Sequence, residues 1–584
     1  MRGRLHMSMR STTIRFKDSL SVVLAGEAGQ GIQTIDVILT KLAKQSGYHV
    51  FSTKEYMSRV RGGLNSTEIR ISSTPIHAFV NRIDILVPLG PGAIHHLHQR
   101  ITKRTVLVGE KKHIDEETPA QQYEVLFSEL ARELGGPIYS NTLAIGAMAG
   151  LLDLESQLVL TTIQEFFSSK KKDIIAKNVK AVQKGLELGS ELRASKKIQV
   201  DLQKDEAVRD MVLLSGTEAV ATGALAGGCT FISSYPMSPS TGVLTFLSQH
   251  SHEFDIVAEQ AEDEIAAVNM ALGAWYAGGR AMVTTSGGGF ALMVEGLSLA
   301  GMIESPLVIH LAQRPGPATG LPTRTEQADL EFALHAGHGE FPRVILAPGT
   351  LEEGFRLTHH AFALADSFQI PVFLLTDQYF VDSYYAIPLP SLDDIDHHNH
   401  AIKTGKRYTR YAWTKDGISP RGIPSFGEGL VCVDSDEHDE EGHITEEKAV
   451  RVRMVDKRLN KRTSLEKKTL PPRFEGTSSF KTLIIGWGST YPMIHEALHH
   501  LQRNDVGFLH FSQVYPLHAS AASYLEKADQ TIIVENNATS QFGKLIKLHT
   551  GISIDHAVLK YDGHPFAVED IERNVRSLLR RRTP

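Results

Sequence analysis

The chain has 584 residues, too many for one hydrophobic core, and its 42% apolar and 22% charged content is ordinary for a globular protein of roughly three or four domains. A formal net charge of −6 argues against nucleic acid as the main partner, because its backbone demands a basic stripe, and no apolar run approaches the ~20 residues that cross a bilayer. Two cysteines, Cys229 and Cys432, can neither build a disulfide framework nor supply the thiolates of an iron–sulfur cluster, so metal centres for any electron transfer must sit on another chain.

The start, MRGRLHMSMR, is basic but lacks the apolar stretch of a secretory signal, which makes the cytoplasm the expected compartment. Residues 19–26 (SLSVVLAG) read as a strand, followed by a glycine turn and a helical stretch near 31–46. Further strands are expected at 66–71, 83–89 and 105–109, an alternation that implies a doubly wound α/β domain ending near the lysine-rich segment 169–204. The turn Gly26-x-x-Gly29-x-Gly31 has the mechanics of an anion site, since glycines let a ligand approach the backbone at a helix N-terminus. It is not the dinucleotide fingerprint, and a plain strand-to-helix turn explains it equally well. Arg59-Val60-Arg61-Gly62-Gly63 is either a second phosphate-holding loop or a basic surface loop.

A second α/β series begins near 210, with strands expected at 211–214, 229–233, 281–285, 307–312, 343–347 and 371–376. After the second of these comes Ser-Tyr-Pro-Met-Ser-Pro-Ser-Thr, residues 234–241, in which Pro236 and Pro239 stiffen the backbone around Ser238. A stiff loop at a strand end aims one hydroxyl into a cleft. Ala261, Ile265, Val268, Leu272 and Trp275 fall at helical spacing and define an inward face, with Glu264 on or beside it. A partly buried carboxylate there would have a raised pKa and share a proton with a ligand. The alternative is a solvated glutamate favoured by the helix dipole. Thr284-Thr285-Ser286-Gly287-Gly288-Gly289 follows a strand, and its glycines suggest either close approach of a ligand or chain, or a packing turn. Arg314 opens the run QRPGPATG at another strand end, where open α/β sheets bind ligands. Its planar fork suits a carboxylate, and a structural ion pair is the competing reading.

Residues 391–476 are polar with weak periodicity, carrying an acidic run from Asp434 to Glu441 and then a basic run from Arg451 to Arg462. His438 and His443 lie within DSDEHDEEGHITEE, but their spacing matches no zinc or calcium loop and no metal is assigned. A last α/β unit is expected from strands near 481–487, 507–512 and 530–535.

Taken in order, GEAGQG, RVRGGLNSTEIRIS, SGTEAVATGALAGGCTFISSYPMSPST, EDEIAAVNMALGAWYAGGRAMVTTSGGGF, QRPGPATGLPTR, DEHDEEGHITEE, VENNATSQ and YDGHPF resemble the 2-oxoacid:ferredoxin oxidoreductases, as an α subunit with a fused γ domain. The resemblance covers nearly the whole chain. It implies an α/β multi-domain fold: a γ-type domain at 15–200, a thiamine pyrimidine-binding domain at 205–390, a polar linker or insert at 391–476 and a transketolase C-terminal-like domain at 477–584.

The implied chemistry is thiamine-diphosphate- and coenzyme A-dependent oxidative decarboxylation of a 2-oxoacid, with electrons passed to ferredoxin. A β subunit would hold Mg²⁺, most of the diphosphate and the [4Fe-4S] cluster, since no Gly-Asp-Gly pattern with a following asparagine occurs here. An α–β heterodimer, or its dimer, follows. Carried over by position, Glu264 bonds the aminopyrimidine ring, a task that a raised carboxyl pKa suits. Tyr235, Pro236 and Ser238 stand in the loop that contacts substrate and cofactor; serine replaces the usual threonine, keeping the hydroxyl and losing a methyl. Arg314 binds the substrate carboxylate, and Gly29 and Gly31 are candidates for coenzyme A or cofactor contact. 2-Oxoglutarate is the favoured substrate, with pyruvate, branched-chain 2-oxoacids and indolepyruvate as alternatives. A non-catalytic assembly subunit that has kept the fold is the rival from another class.

Overall fold

The computed structural model describes residues 13–27, 32–56, 63–114, 116–392, 395 and 398–580. The glycine turn at Gly29 and Gly31, and Arg59 to Gly62, lie outside these residues. Contacts divide the chain into two compact units, one of residues 1–214 with 382–389 and one of residues 215–381 with 390–584.

The first unit is built on an eight-stranded mixed sheet. Its central strand, Ser19–Glu27, pairs parallel to Ile85–Pro88 and antiparallel to Leu64–Ser72. Alternate side chains of that strand enter opposite faces: Leu20, Val22 and Leu24 join one apolar cluster, Val23 and Ala25 the other. Both faces are therefore covered, as an internal sheet in an α/β fold requires. The helix expected at 31–46 is Ile32–Gln45. The lysine-rich segment forms the long helix Lys172–Ala194, which buries Ala181, Val182 and Leu192. The strand expected at 211–214 exists as Val212–Ser215, but it lies at the edge of this first sheet, beside Tyr384–Ile387. Two strands so short and half-apolar carry no sequence signal for which sheet they will extend.

The second unit holds a seven-stranded sheet and a five-stranded sheet. In the larger, the strands run Val257–Gln260, Phe231–Ser234, Ala281–Thr285, Leu307–Gln313, Pro371–Asp377, Val344–Leu346 and Gln513–Tyr515, parallel except for the last. Leu307–Gln313 is buried throughout, which is why it reads as apolar apart from His310 and Gln313. The smaller sheet centres on Thr482–Trp487, Val506–Phe511 and Gln530–Glu535, close to the expected strands. Gln513–Tyr515, just after Val506–Phe511, crosses to pair with Val344–Leu346 and joins the two sheets.

Residues 391–476 are anchored within the second unit by buried charge. The helix Lys448–Glu466 buries Lys457 and Lys461, which grip Glu304 at 2.6 Å each. Burial works against a charge on Glu304, but Lys461, Lys457 and Arg410 outweigh it and hold the carboxyl well below the usual range. Asp366 is likewise held by Arg280 at 2.5 Å and Arg421 at 2.6 Å. The acidic run is absorbed in the same way: Arg458 donates to both oxygens of Glu437 at 3.0 and 2.9 Å. His438 is buried, its ring 3.9 Å from that of Tyr411, whereas His443 stands exposed. Weak apolar periodicity thus conceals an ordered segment, because its inward side chains are charged. Among the described residues no helix is long and apolar enough to cross a membrane.

Candidate active site

The candidate residues gather at the C-terminal ends of the parallel strands in the seven-stranded sheet, the ligand-binding end of open α/β sheets. The proline-framed loop leaves strand Phe231–Ser234 and is stapled at its root. Ser233 Oγ donates to Ala267 O at 2.6 Å, Ser234 Oγ to Thr284 O at 2.5 Å, and Ser240 Oγ to Met237 O at 2.8 Å. Tyr235, Pro236 and Ser238 remain exposed beyond these anchors. Arg314, directly after strand Leu307–Gln313, donates from Nη1 to the carbonyl of Ser238 at 2.7 Å. The structure therefore joins Ser238 and Arg314, through main chain rather than through the serine hydroxyl.

Glu264 begins the helix Glu264–Tyr276, with Asp263 as its N-cap. Buried positions are Glu264, Ala267, Val268, Ala271, Leu272 and Trp275, so the carboxylate lies on the inward face. Ile265, expected on that face, is 50% exposed. The helix starts only at Glu264, so Ala261 precedes it and does not set the register. Glu264 is 3% exposed, and its Oε1 is buried with no hydrogen-bond partner.

The glycine turn explains how it fits. The short helix Gly287–Phe290 follows strand Ala281–Thr285, and a Cβ on Gly289 would lie 2.5 Å from Glu264 Oε1. A Cβ on Gly287 would lie 2.6 Å from both carboxylate oxygens of Asp329. The close approach anticipated from three glycines is made by side chains of this chain: the Asp329 carboxylate at Gly287, and the Glu264 carboxylate with the Thr285 hydroxyl at Gly289. Ser286 Oγ and Asp329 Oδ2, like Glu264 Oε1, are buried without a hydrogen-bond partner. Buried polar atoms are rarely left unmatched, and three of them stand around this one turn.

Asp329 and Glu326 were not singled out in the sequence. Burial pushes the Asp329 carboxyl up to about 6, against the pull of Arg314, and burial with the Asp329 charge pushes Glu326 up to about 7. Burial also lowers Arg314 from its usual range, while Asp329 opposes that shift. The only sequence signal was two carboxylates three residues apart, Glu326 and Asp329, just beyond the Gly- and Pro-rich run that Arg314 opens. Below the sheet ends, His310 bridges Thr284 Oγ1 and Thr376 Oγ1 at 2.8 Å each, and burial lowers its pKa to about 3.

VENNATSQ and YDGHPF, which no chemical reading had used, hold this segment in place. Gln327 N donates to Asn536 O at 2.7 Å, and Asn536 N returns a bond to Gln327 Oε1 at 3.0 Å. Asn537 Nδ2 donates to Gln327 O at 3.1 Å, Gln541 Nε2 to Ala328 O at 2.8 Å, and Thr325 N to Gly563 O at 3.1 Å. Gln313 Oε1 accepts from Asp329 N at 2.9 Å, which ties the acid back to the strand beside Arg314. Among the described residues, no group of three or more His, Cys, Asp or Glu side chains is placed to hold a metal ion.

Residues 222–457 match the family described as pyruvate flavodoxin/ferredoxin oxidoreductase, thiamine diphosphate-binding, and residues 21–188 match pyruvate ferredoxin/flavodoxin oxidoreductase. The chain is 31% identical to a 2-oxoacid:ferredoxin oxidoreductase subunit alpha from Sulfolobus, covering 95% of this chain and 96% of that one. It is 26% identical to the 2-oxoglutarate oxidoreductase subunit KorA of Mycobacterium tuberculosis, covering 96% and 92%. Among solved structures it resembles a 2-oxoglutarate:ferredoxin oxidoreductase from Magnetococcus marinus with 2-oxoglutarate, coenzyme A and succinyl-CoA bound. That likeness has a TM-score of 0.89 and 29% identity over 96% of this chain and 100% of that one.

Proposed function

This chain belongs to the 2-oxoacid:ferredoxin oxidoreductases as an alpha-type oxidoreductase subunit, and on that premise we propose that it acts with a β subunit to decarboxylate 2-oxoglutarate oxidatively. The 2-oxoacid and coenzyme A yield the acyl-CoA, carbon dioxide, two electrons and one proton, the electrons leaving through iron–sulfur clusters on the partner to ferredoxin. The 2-oxoglutarate assignment is supported by the Mycobacterium relative and by the ligands of the Magnetococcus structure. Boundaries at 200, 390 and 476 divide the chain into γ-type, pyrimidine-binding, insert and transketolase C-terminal-like parts on this reading. The α–β assembly would work in the cytoplasm.

One observation carries the proposal: the buried, partnerless Oε1 of Glu264, seated against Gly289. A carboxyl oxygen in that state fits the ring nitrogen of an aminopyrimidine, so the residues present fit thiamine diphosphate. When bound, the thiazolium of that cofactor supplies the nucleophilic carbon and the electron sink for decarboxylation. Glu264 holds a proton at the pyrimidine nitrogen. Gly289 keeps space for that carboxyl, and the stapled loop at 234–241 presents Ser238 and Tyr235 to the ligands. Arg314, steadied by the Ser238 carbonyl, takes the carboxylate of the 2-oxoacid.

The test is coenzyme A-dependent reduction of a viologen dye by the chain co-expressed with its β partner, across a panel of 2-oxoacids. The expected result is the highest kcat/KM with 2-oxoglutarate. A higher value with pyruvate or a branched-chain acid would overturn the substrate assignment. Glu264→Gln should cut turnover by about 10²–10⁴-fold in an assembled complex, and near-normal turnover would remove Glu264 from its role.

A further inference from the structure

We propose that Asp329 is a positioning residue of the 2-oxoacid subsite, acting through Arg314 to set how much positive charge the pocket offers a substrate carboxylate. This rests on the proposed reading of Arg314 and adds a group to it.

Three independent observations place Asp329 in the site rather than in the general packing. Its carboxylate lies against Gly287, so close that any Cβ there would collide with both oxygens. Gly289, two residues on, accommodates Glu264 in the same manner, so one glycine turn separates the two acids. Asp329 Oδ2 is buried and partnerless, as are Ser286 Oγ and Glu264 Oε1 around that turn. Finally, Asp329 N donates to the side chain of Gln313, the residue immediately before Arg314. Movement of the acid relative to the arginine is therefore restricted.

The charge that acts on Asp329 from the neighbouring strand end is that of Arg314, and Asp329 in turn acts on Glu326 within its own segment. The glycine turn contributes no ionisable side chain, and Gln313 is neutral. Burial leaves Asp329 titrating at about 6 and Glu326 at about 7. Below these values both acids are neutral, and Arg314 presents its full charge to an incoming carboxylate. Above them, the Asp329 charge offsets that of Arg314 and opposes a second anion, while Glu326 carries a further negative charge in the same segment. Tight binding of the 2-oxoacid is thus favoured on the acid side of neutrality and weakened on the alkaline side.

The experiment measures KM for 2-oxoglutarate from pH 5.5 to 8.5 in the assembled enzyme and in Asp329→Asn, Glu326→Gln and the double variant. Wild type should show KM rising about three- to tenfold over that range, the size expected of a partly screened neighbouring charge. Asp329→Asn should reduce the rise, and the double variant should abolish it. Gly287→Ala is a second probe, because it displaces the carboxylate while leaving it able to titrate; its KM profile should be shifted. A merely structural Asp329 would lower kcat and melting temperature at every pH and leave the slope of KM intact, which overturns the proposal. A wild-type KM that is flat with pH overturns it as well. A complex with no 2-oxoacid-dependent activity overturns the functional reading and this proposal together. Normal activity with an unchanged slope in Asp329→Asn overturns this proposal alone.

Discussion

Glu264 and Gly289 are packed so that one missing methyl group makes room for a carboxylate oxygen and the Thr285 hydroxyl together: a Cβ on the glycine would sit 2.5 Å from Glu264 Oε1 and closer still to Thr285 Oγ1. Gly288, between the two crowded glycines, has as its nearest neighbour only Ala318 O at 3.7 Å. The turn therefore contains its own control.

Gly289→Ala should displace Glu264 and lower turnover at least about tenfold, since small misplacements of a reacting group are costly, with a stability loss of about 1–3 kcal/mol. Gly288→Ala should leave turnover within about twofold, because its added methyl meets ordinary van der Waals contact. Dye-reduction assays on both complexes, with melting curves, distinguish the two. Equal losses in the two variants would mean that the turn matters only as backbone.

Arg314→Ala should raise KM for the 2-oxoacid by about ten- to a hundredfold, with kcat changed by less than about threefold, as expected when a binding interaction common to ground and transition states is removed. Arg314→Lys should recover only part of the loss, because an ammonium cannot bond a carboxylate with two parallel donors while also reaching the Ser238 carbonyl. Steady-state kinetics in the assembled enzyme check this. An unchanged KM in Arg314→Ala would take the arginine out of the substrate site.

Glu304→Gln leaves Lys457 and Lys461 buried without their shared carboxylate, and should destabilise the second unit by about 3–5 kcal/mol. Replacing all three with Glu304→Leu, Lys457→Met and Lys461→Met should restore much of that loss, because no uncompensated charge then remains. Limited proteolysis of the 391–476 segment reads the effect directly. A single variant as resistant as wild type would show that the cluster does not anchor the insert.

His310 supplies a pH-dependent stability term with a defined sign. Its native pKa of about 3 lies below the unfolded value near 6.5, so the unfolded chain binds more protons between those limits. Stability is retained above pH 6.5 and falls as pH drops towards 3, by about 2 kcal/mol at pH 5. His310→Gln removes this term. The melting-temperature gap between wild type and His310→Gln at pH 7 should narrow at pH 5, and a gap independent of pH would mean that the ring titrates alike in the folded and unfolded chain.

The strands most legible in the sequence were those buried on both faces. Leu307–Gln313 and Thr482–Trp487 are mostly apolar, and their observed limits lie within a residue or two of those expected. Val257–Gln260 was not anticipated, because its mostly exposed pattern gives no apolar run. Ile265 was misassigned to the inward face because sequence spacing does not say at which residue the helix begins. The family motifs identified Ser238, Glu264 and Arg314 as candidates, yet they carried no sign that Arg314 meets Ser238 through a carbonyl. A main-chain acceptor has no letter in the sequence.

What the sequence determined by itself was the kind of protein: α/β units from apolar alternation and a family from colinear motifs. Those features follow from local periodicity and residue identity, which survive without knowledge of distant contacts. Only the tertiary structure decided what stands around the glycine turn. Asp329 lies 42 residues beyond Gly287 in the chain, and the Asn536, Asn537 and Gln541 contacts that fix its segment come from some 210 residues further on. Burial and unmatched polar atoms are properties of such meetings in space, so a carboxylate that reads as ordinary in the chain becomes a charged neighbour of Arg314 only in the fold.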